Sequence, residues 1–333
     1  MDVSPSNLME GDFVETADGL LFAVKGIFHP EGLVIAYLRY VPDAAGERTR
    51  GRRRYKRVYD LEETTSFILN RYPHYVHHIA PLGLTLQAVP REWISRVYKP
   101  QHGLRELMAN PHTDLEGLVS KFISALSEES GVPIGDFGVS GSILVGLASR
   151  DSDVDIIVYG ENEGRRVYLA TKMLRETGGW ITPYDEKTVL EITKARWGDT
   201  GLDIDALSRI EMKKVLHGLV SGKDYFIRLV KKTGEIEAEV ASKPLHKVNV
   251  RTRIAEAEDS IFTPCVYEVA DCTLPDDKSK PITELTSFRG KFTEQATVGE
   301  VVEARGTLEE VTYSDRIVYR VQMGRSGDYL MPV

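Results

Sequence analysis

Gly141-Ser142 and the pair Asp153 and Asp155, with ten residues between Ser142 and Asp153, carry the most directly chemical pattern in this chain. Phe137 to Ser140 reads as a strand that runs into the Gly-Ser turn, with a helix start at Ile143 and a second strand over Asp153 to Tyr159. Backbone N–H groups at a helix start are unpaired and favour an anion. Gly141 admits close approach of a ligand to the backbone, and the Ser142 hydroxyl can bond a phosphate oxygen. Asp153 and Asp155 sit two apart, so on a strand they face one way while Val154, Ile156 and Val158 face a core. Adjacent carboxylates repel, and a divalent cation removes the repulsion. Oxygen ligands favour Mg²⁺, which takes one or two carboxylates plus substrate phosphates. Leu202-Asp203-Ile204-Asp205-Ala206 alternates in the same manner and predicts a third strand over Leu202 to Leu207. Placed beside the second strand, it would bring Asp203 or Asp205 to the other two carboxylates. Three carboxylates next to a phosphate-binding turn can hold two metals, one polarising an attacking hydroxyl and one clamping a triphosphate and its leaving pyrophosphate. A carboxylate of the third strand could also accept the hydroxyl proton.

Gly141-Ser142, three residues, Gly146, five residues, then Ser152-Asp153-Val154-Asp155 with Ile156, Ile157 and Val158 resembles the signature of the DNA polymerase beta-like nucleotidyltransferase superfamily. The form is close to that of minimal nucleotidyltransferases, aminoglycoside nucleotidyltransferases and CCA-adding enzymes. It covers residues 138–159 closely and 115–220 more loosely, and leaves the first and last hundred residues uncovered. The resemblance implies transfer of a nucleotide from an NTP to an acceptor hydroxyl, with two Mg²⁺ ions and pyrophosphate release. It implies that Gly141, Ser142 and Ser152 meet the nucleotide and that Asp153, Asp155 and one of Asp203 and Asp205 are catalytic. Asp203 is the preferred third metal ligand because it precedes Ile204. One departure is Val145, where many relatives carry an arginine before the second glycine. Arg150 is the candidate replacement.

The elements that must position these residues divide the chain into three expected domains: 1–100, 101–224 and 225–333. In the first, Phe13 to Thr16 and Leu20 to Val24 flank Asp18-Gly19, a hairpin turn, and Leu33 to Val41 is a further strand. A short helix follows near Leu61 to Asn70. In the second, the spacing of Leu115, Leu118, Phe122, Ile123 and Leu126 predicts a helix capped by Thr113 or Asp114 and ended by Gly131. Helices are also expected over Arg165 to Arg175, stopped at Gly178-Gly179, over Glu186 to Trp197 and over Ile210 to Leu219. In the third, Ile317, Tyr319, Val321 and Met323 mark a half-buried strand with Val301 to Leu308 as partner, in a small antiparallel β domain with a barrel among its options. The expected fold class is α+β and multidomain: a central nucleotidyltransferase-like α/β domain with a short mixed sheet, flanked by β-rich domains.

The 333 residues carry a net charge of -8, which excludes a histone-like protein held to nucleic acid by bulk charge. The basic residues are nevertheless concentrated. Arg48, Arg50, Arg52, Arg53, Arg54, Lys56 and Arg57 fall within one short segment, with Tyr55 and Tyr59 nearby. Arg52, Arg53, Arg54, Lys56 and Arg57 are candidates for a clamp on a nucleic-acid backbone with an aromatic side chain to stack on bases, and a solvated hairpin tip is the plainer alternative. Lys213, Lys214, Lys223 and Arg228 follow the third acidic strand and read as the wet face of a helix. His74, His77 and His78 lack nearby partners for a metal and read as an aromatic loop. Cys265 and Cys272 read as reduced thiols. No apolar run could span a bilayer, and Met1 to Pro5 has no signal-peptide character, so the expected setting is the cytoplasm with no membrane partner. The expected partners are a nucleoside triphosphate and an RNA or other nucleic-acid end. The rival readings are a non-catalytic nucleic-acid-binding or regulatory protein on the same fold and a protein-modifying nucleotidyltransferase.

Overall fold

The structure, a computed structural model, describes residues 7–58, 61–177, 179–274 and 277–333. Tyr59, Gly178 and Met1 to Pro5 lie outside the described residues. The chain is α+β and multidomain, with a central α/β region and β-rich sheets on either side of it in sequence. It gathers into two units. The first comprises Met1–Ala80, Leu84–Tyr159 and Lys223–Ile227, and the second Pro81–Gly83, Gly160–Gly222 and Arg228–Val333.

The first unit opens with β1 (Phe13–Thr16), β2 (Leu21–Val24), β3 (Leu33–Pro42), β4 (Arg48–Arg50) and β5 (Arg53–Arg57), then α1 (Leu61–Arg71), β6 (Val76–Ile79), β7 (Leu84–Pro90) and β8 (Ile94–Tyr98). The strands are neighbours in the order β4-β5-β3-β2-β1-β8, and β7 pairs with both β3 and β6. Side chains alternate between two cores, as the pleat requires. Val14, Phe22 and Val34 face one side with Ile68 of α1. Phe13, Leu21, Tyr40, Tyr55 and Tyr98 face the other. The β1–β2 hairpin turns at Gly19, which adopts φ +81. His74, Tyr75 and Trp93 form the expected aromatic cluster, with His74 centred 5.1 Å from Trp93.

The same unit continues with α2 (Pro100–Ala109), α3 (Asp114–Ser130), β9 (Phe137–Val139), α4 (Gly141–Leu144) and β10 (Val154–Tyr159). Thr113 caps α3, its Oγ1 accepting from Glu116 N at 3.2 Å, and Gly131 ends it in the left-handed region. Phe122 of α3 packs edge-on against Tyr225.

The second unit holds α5 (Glu161–Thr177), β11 (Ile181–Thr182), α6 (Glu186–Trp197), α7 (Ile204–Glu211) and β12 (His217–Val220). Leu202 to Leu207, expected as a strand, starts a helix instead. Asp203 is its N-cap, with Oδ1 accepting from Asp205 N at 2.9 Å and Ala206 N at 3.2 Å. Ile204 and Leu207 lie three apart on the helical face that enters the core. The expected helix over Ile210 to Leu219 stops early, and His217–Val220 is strand. β13 (Lys223–Val230) passes from the first unit into the second. In the first it neighbours β10 in the order β13-β10-β9, and in the second the order is β11-β12-β13.

The last hundred residues form β14 (Ala241–Glu256), β15 (Cys265–Leu274), β16 (Asp277–Ser287), β17 (Val301–Thr312), β18 (Ile317–Met323) and β19 (Tyr329–Pro332). The described strands close into a ring, β14-β15-β16-β18-β17, because β17 pairs back onto β14 over most of its length. β16 and β18 run parallel and the other contacts in the ring are antiparallel. This is the strand order of the five-stranded Greek-key barrel called the OB-fold. Trp197 fills its core and meets Phe292 at 5.2 Å. Cys265 and Cys272 are free, buried thiols, and burial pushes Cys265 up to about 12.

Beside this core sits a buried charge cluster. Lys214, expected on a wet face, is 1% exposed, and its Nζ donates to Glu211 Oε1 at 3.0 Å. The early end of α7 turns the Lys214 side chain inward. Glu211 also accepts from Arg196 and from Trp197 Nε1. His217 stacks on Tyr184, its Nε2 standing 3.3 Å from Glu211 Oε2 without hydrogen-bond alignment. Burial holds the His217 pKa down to about 4, helped by Arg196 and Lys214 and opposed by Glu211. The unfolded chain therefore binds the proton first as pH falls from the ordinary histidine value near 6.5. Stability is full above that value and declines toward pH 4. Urea melts should show about 2 kcal/mol less stability at pH 5 than at pH 7 from this residue. His217→Asn should remove that part of the slope, leaving the share of His29, which burial also holds at about 4, and the opposing share of Asp12, which burial raises to about 6.

Candidate active site

All residues of the site described below belong to the first unit. β9 and β10 pair antiparallel with Val139 opposite Ile156, so the backbone at Ser140 meets Asp155, and Ser140 N donates to Asp155 O at 2.9 Å. From Ile156 onward β10 is buried on both faces. Only its leading end is open, and there Asp153 and Asp155 are half-buried. The turn and the two carboxylates named from the sequence are thus brought together.

Gly141 adopts φ +60, and a Cβ there would stand 2.0 Å from Asp155 Oδ2. The carboxylate occupies the space a side chain would take. The helix that follows, α4, is a single turn, so its dipole contributes little and the turn's own backbone is what faces Asp155. Ser142 is 5% exposed. Ser152 is also buried, and its Oγ accepts from Ser149 N at 2.9 Å and from Arg48 Nη1 at 2.7 Å. In this structure Ser152 staples the loop shut.

The strand expected to carry a further carboxylate to β10 is absent, and a different acidic residue stands in the neighbouring strand. The neighbour of β10 on the side away from β9 is β13, and β13 carries Asp224 near its start. Asp203 and Asp205 sit at the cap and in the first turn of α7, so the strand that would have carried them to β10 does not exist. Burial raises the Asp153 pKa above the usual carboxylate range. Asp224 raises it further, while Arg57, Arg48 and Lys223 lower it. Lys223 Nζ donates to Arg150 O at 2.7 Å, which ties β13 to the loop before Asp153. Asp224 was legible in principle. Asp224, Phe226 and Arg228 alternate with buried Tyr225, Ile227 and Leu229, the same half-buried pattern that β10 starts with.

Val145 and Leu147 explain the missing arginine. Both are buried, at 1% and 0% exposure, among Phe13, Leu21, Tyr40, Tyr55 and Tyr98. The loop after α4 is an apolar plug in the N-terminal sheet. Guanidinium groups come from the β4–β5 hairpin instead. Arg48 Nη1 lies 2.6 Å from Ser149 Oγ and 3.4 Å from Leu147 O. Arg50 donates to Val145 O at 3.3 Å, to Tyr98 Oη at 2.7 Å and to Tyr55 Oη at 2.8 Å, and pairs with Glu15 at 2.5 Å. Arg150 is exposed. The basic segment therefore divides. Arg48 and Arg50 turn inward, Arg57 acts on Asp153, and Arg52, Arg53, Arg54 and Lys56 are exposed on the hairpin. Tyr55, named as a stacking platform, is fully buried beneath Arg50 and cannot reach a base.

The donor set suits Mg²⁺. All its groups are oxygens, two are paired along one strand end, and Asp153 and Asp224 repel each other. Among the described residues no three such side chains stand together as a ready-made metal cluster. A Mg²⁺ site completed by substrate phosphates does not need one.

Residues 119–255 match the family described as the nucleotidyltransferase domain. A nucleotidyltransferase-like domain is thus present over part of the chain and supports a general transferase role. A protein of Methanocaldococcus jannaschii, bearing only the description "uncharacterized protein", is 27% identical over 313 residues, covering 90% of each chain. No solved structure matches the chain. No helix among the described residues is long and apolar enough to cross a membrane.

Gly141→Ala should cost more than its positive φ alone, which is worth about 1–2 kcal/mol. Gly179→Ala, at φ +60 with nothing within 4 Å, measures that backbone cost by itself. Urea melts should place Gly141→Ala clearly below Gly179→Ala, and Asp155→Ala added to Gly141→Ala should recover the difference.

Proposed function

We propose that this protein transfers a nucleotide from an NTP to an acceptor hydroxyl, dependent on Mg²⁺ and releasing pyrophosphate, with an RNA or other nucleic-acid end as acceptor. One observation carries the reading: the Asp155 carboxylate fills the space over Gly141, so the phosphate turn and the paired carboxylates form one surface within the matched region. In this reading Gly141 and the neighbouring backbone meet the triphosphate, with Ser142 and Ser152 shaping the turn. Asp153 and Asp155 hold the metal, and Asp224 takes the place first given to Asp203 or Asp205. Bound Mg²⁺, two ions by the resemblance, supplies a Lewis acid for the attacking and leaving oxygens. The acceptor oxygen bonds to the α-phosphorus, the bond from that phosphorus to the β-phosphate bridge breaks, and pyrophosphate departs. Asp224, at the open rim of the site, accepts the proton released by the acceptor hydroxyl.

The acceptor class rests on the hairpin. Arg52, Arg53, Arg54 and Lys56 present four exposed cations on a strand pair whose inward residues touch the phosphate loop. A non-catalytic nucleic-acid-binding protein on the same fold is the second reading, since the exposed cations of the hairpin serve binding with or without turnover. On either reading the protein works in the cytoplasm with no membrane partner.

Incubation with Mg²⁺, each α-labelled NTP, and pooled RNA, DNA and protein separates the readings. Label should move to nucleic acid, and Asp153→Asn and Asp224→Asn should each abolish the transfer. Asp203→Asn should preserve it. Label moving to protein would favour the protein-modifying alternative, and no pyrophosphate from any NTP would favour the binding protein. In parallel, Arg52, Arg53 and Arg54 replaced together by Ala should weaken single-strand binding and shallow its log–log salt slope by ~2. An unchanged slope would remove the hairpin from the acceptor site.

A further inference from the structure

Arg48 reaches across a large sequence gap to grip the loop between the phosphate turn and Asp153. Its partners Leu147, Ser149 and Ser152 lie 99, 101 and 104 residues away. The three acceptors converge on one nitrogen, Nη1, while Ser152 Oγ simultaneously receives Ser149 N. The loop is thereby tied at three points, the last being the residue before Asp153. Apolar anchoring fixes only its near end, at Val145 and Leu147. Ser149, Arg150 and Asp151 beyond are exposed, and their other tie is Lys223, whose Nζ donates to Arg150 O at 2.7 Å and stands 3.9 Å from Asp151 Oδ1.

We propose that Arg48 is the positioning residue of the nucleotide site, and that the N-terminal hairpin holds the phosphate loop in its binding shape. The proposal rests on the nucleotidyl-transfer reading for its kinetic consequence, and on the contacts alone for its structural one. A guanidinium fixed to Ser149 and Ser152 keeps the turn from Gly146 to Asp153 in one conformation, so the ordering entropy is spent in folding and not on binding the triphosphate. Lysine in its place would keep the charge and lose the planar fork.

The first test needs no nucleotide. Hydrogen–deuterium exchange of the full chain should show Arg48→Ala exchanging at least about tenfold faster over residues 147–153, with β1 to β3 unchanged. Arg48→Lys should fall between, and Ser152→Ala should reproduce the effect. The second test uses the NTP that wild type consumes. Arg48→Ala should raise KM about tenfold with kcat changed far less, and Arg48→Ala combined with Ser152→Ala should be no worse than the poorer single variant. Unchanged exchange over 147–153 in Arg48→Ala, or single effects that multiply, would overturn the proposal. If wild type consumes no NTP, nucleotidyl transfer falls and the exchange result alone decides on Arg48. If wild type is active, Asp153→Asn is dead and Arg48→Ala matches wild type in exchange and KM, the Arg48 proposal falls alone.

Discussion

The burial of Val145 and Leu147 in the N-terminal sheet is the constraint on which the candidate site depends. Two side chains of a short loop complete a core otherwise built from β1, β2, β3, β5 and β8. Full burial of two such side chains is worth roughly 3–6 kcal/mol, enough to fix where the turn at Gly141 stands. A position beside the Gly141 turn that is committed to apolar packing cannot also present a charge. The cations arrive from the strand pair that lines the same core, since alternate residues of β4 and β5 face the loop and the solvent. Packing and electrostatics at this site are thus two outputs of one strand pairing.

The carboxylates obey a second constraint. A strand buried on both faces can carry acid only where its pairing partner or its cover ends, and β10 does so at Asp153 and Asp155. Burial there penalises charge, Asp224 adds to the penalty, and Arg57, Arg48 and Lys223 offset it. Opposed influences of this kind on one carboxylate gather at functional sites.

Much of this was written locally. The β1–β2 hairpin announced itself through Asp18-Gly19, α3 through its apolar spacing, and the turn with its two carboxylates through the residues alone. What escaped local reading has specific causes. Asp203 and Asp205 alternate with apolar neighbours, but Asp203 is an N-cap, and five alternating residues suit a strand and a helix start equally. Asp224 lay in plain alternation, yet its strand opens a long β-rich region and drew no notice beside the acidic motif. Arg48 and Arg50 act on residues some hundred positions away, which no window of sequence reports. Tyr55 sat among cations and so invited a stacking role, while the pleat had assigned it to the core.

The ring of β14 to β18 has a consequence for the order in which the chain can acquire its shape. β16 and β17 are consecutive in sequence but not paired with each other in the ring. β18 stands between them, parallel to one and antiparallel to the other. During synthesis the barrel must therefore wait with its sheet open until Ile317–Met323 has emerged, leaving the core partners of Val321 in water. Distant pairing of this kind is slow to form, and an open apolar sheet is the species most prone to association. For this chain, the interval before β18 inserts is the vulnerable one.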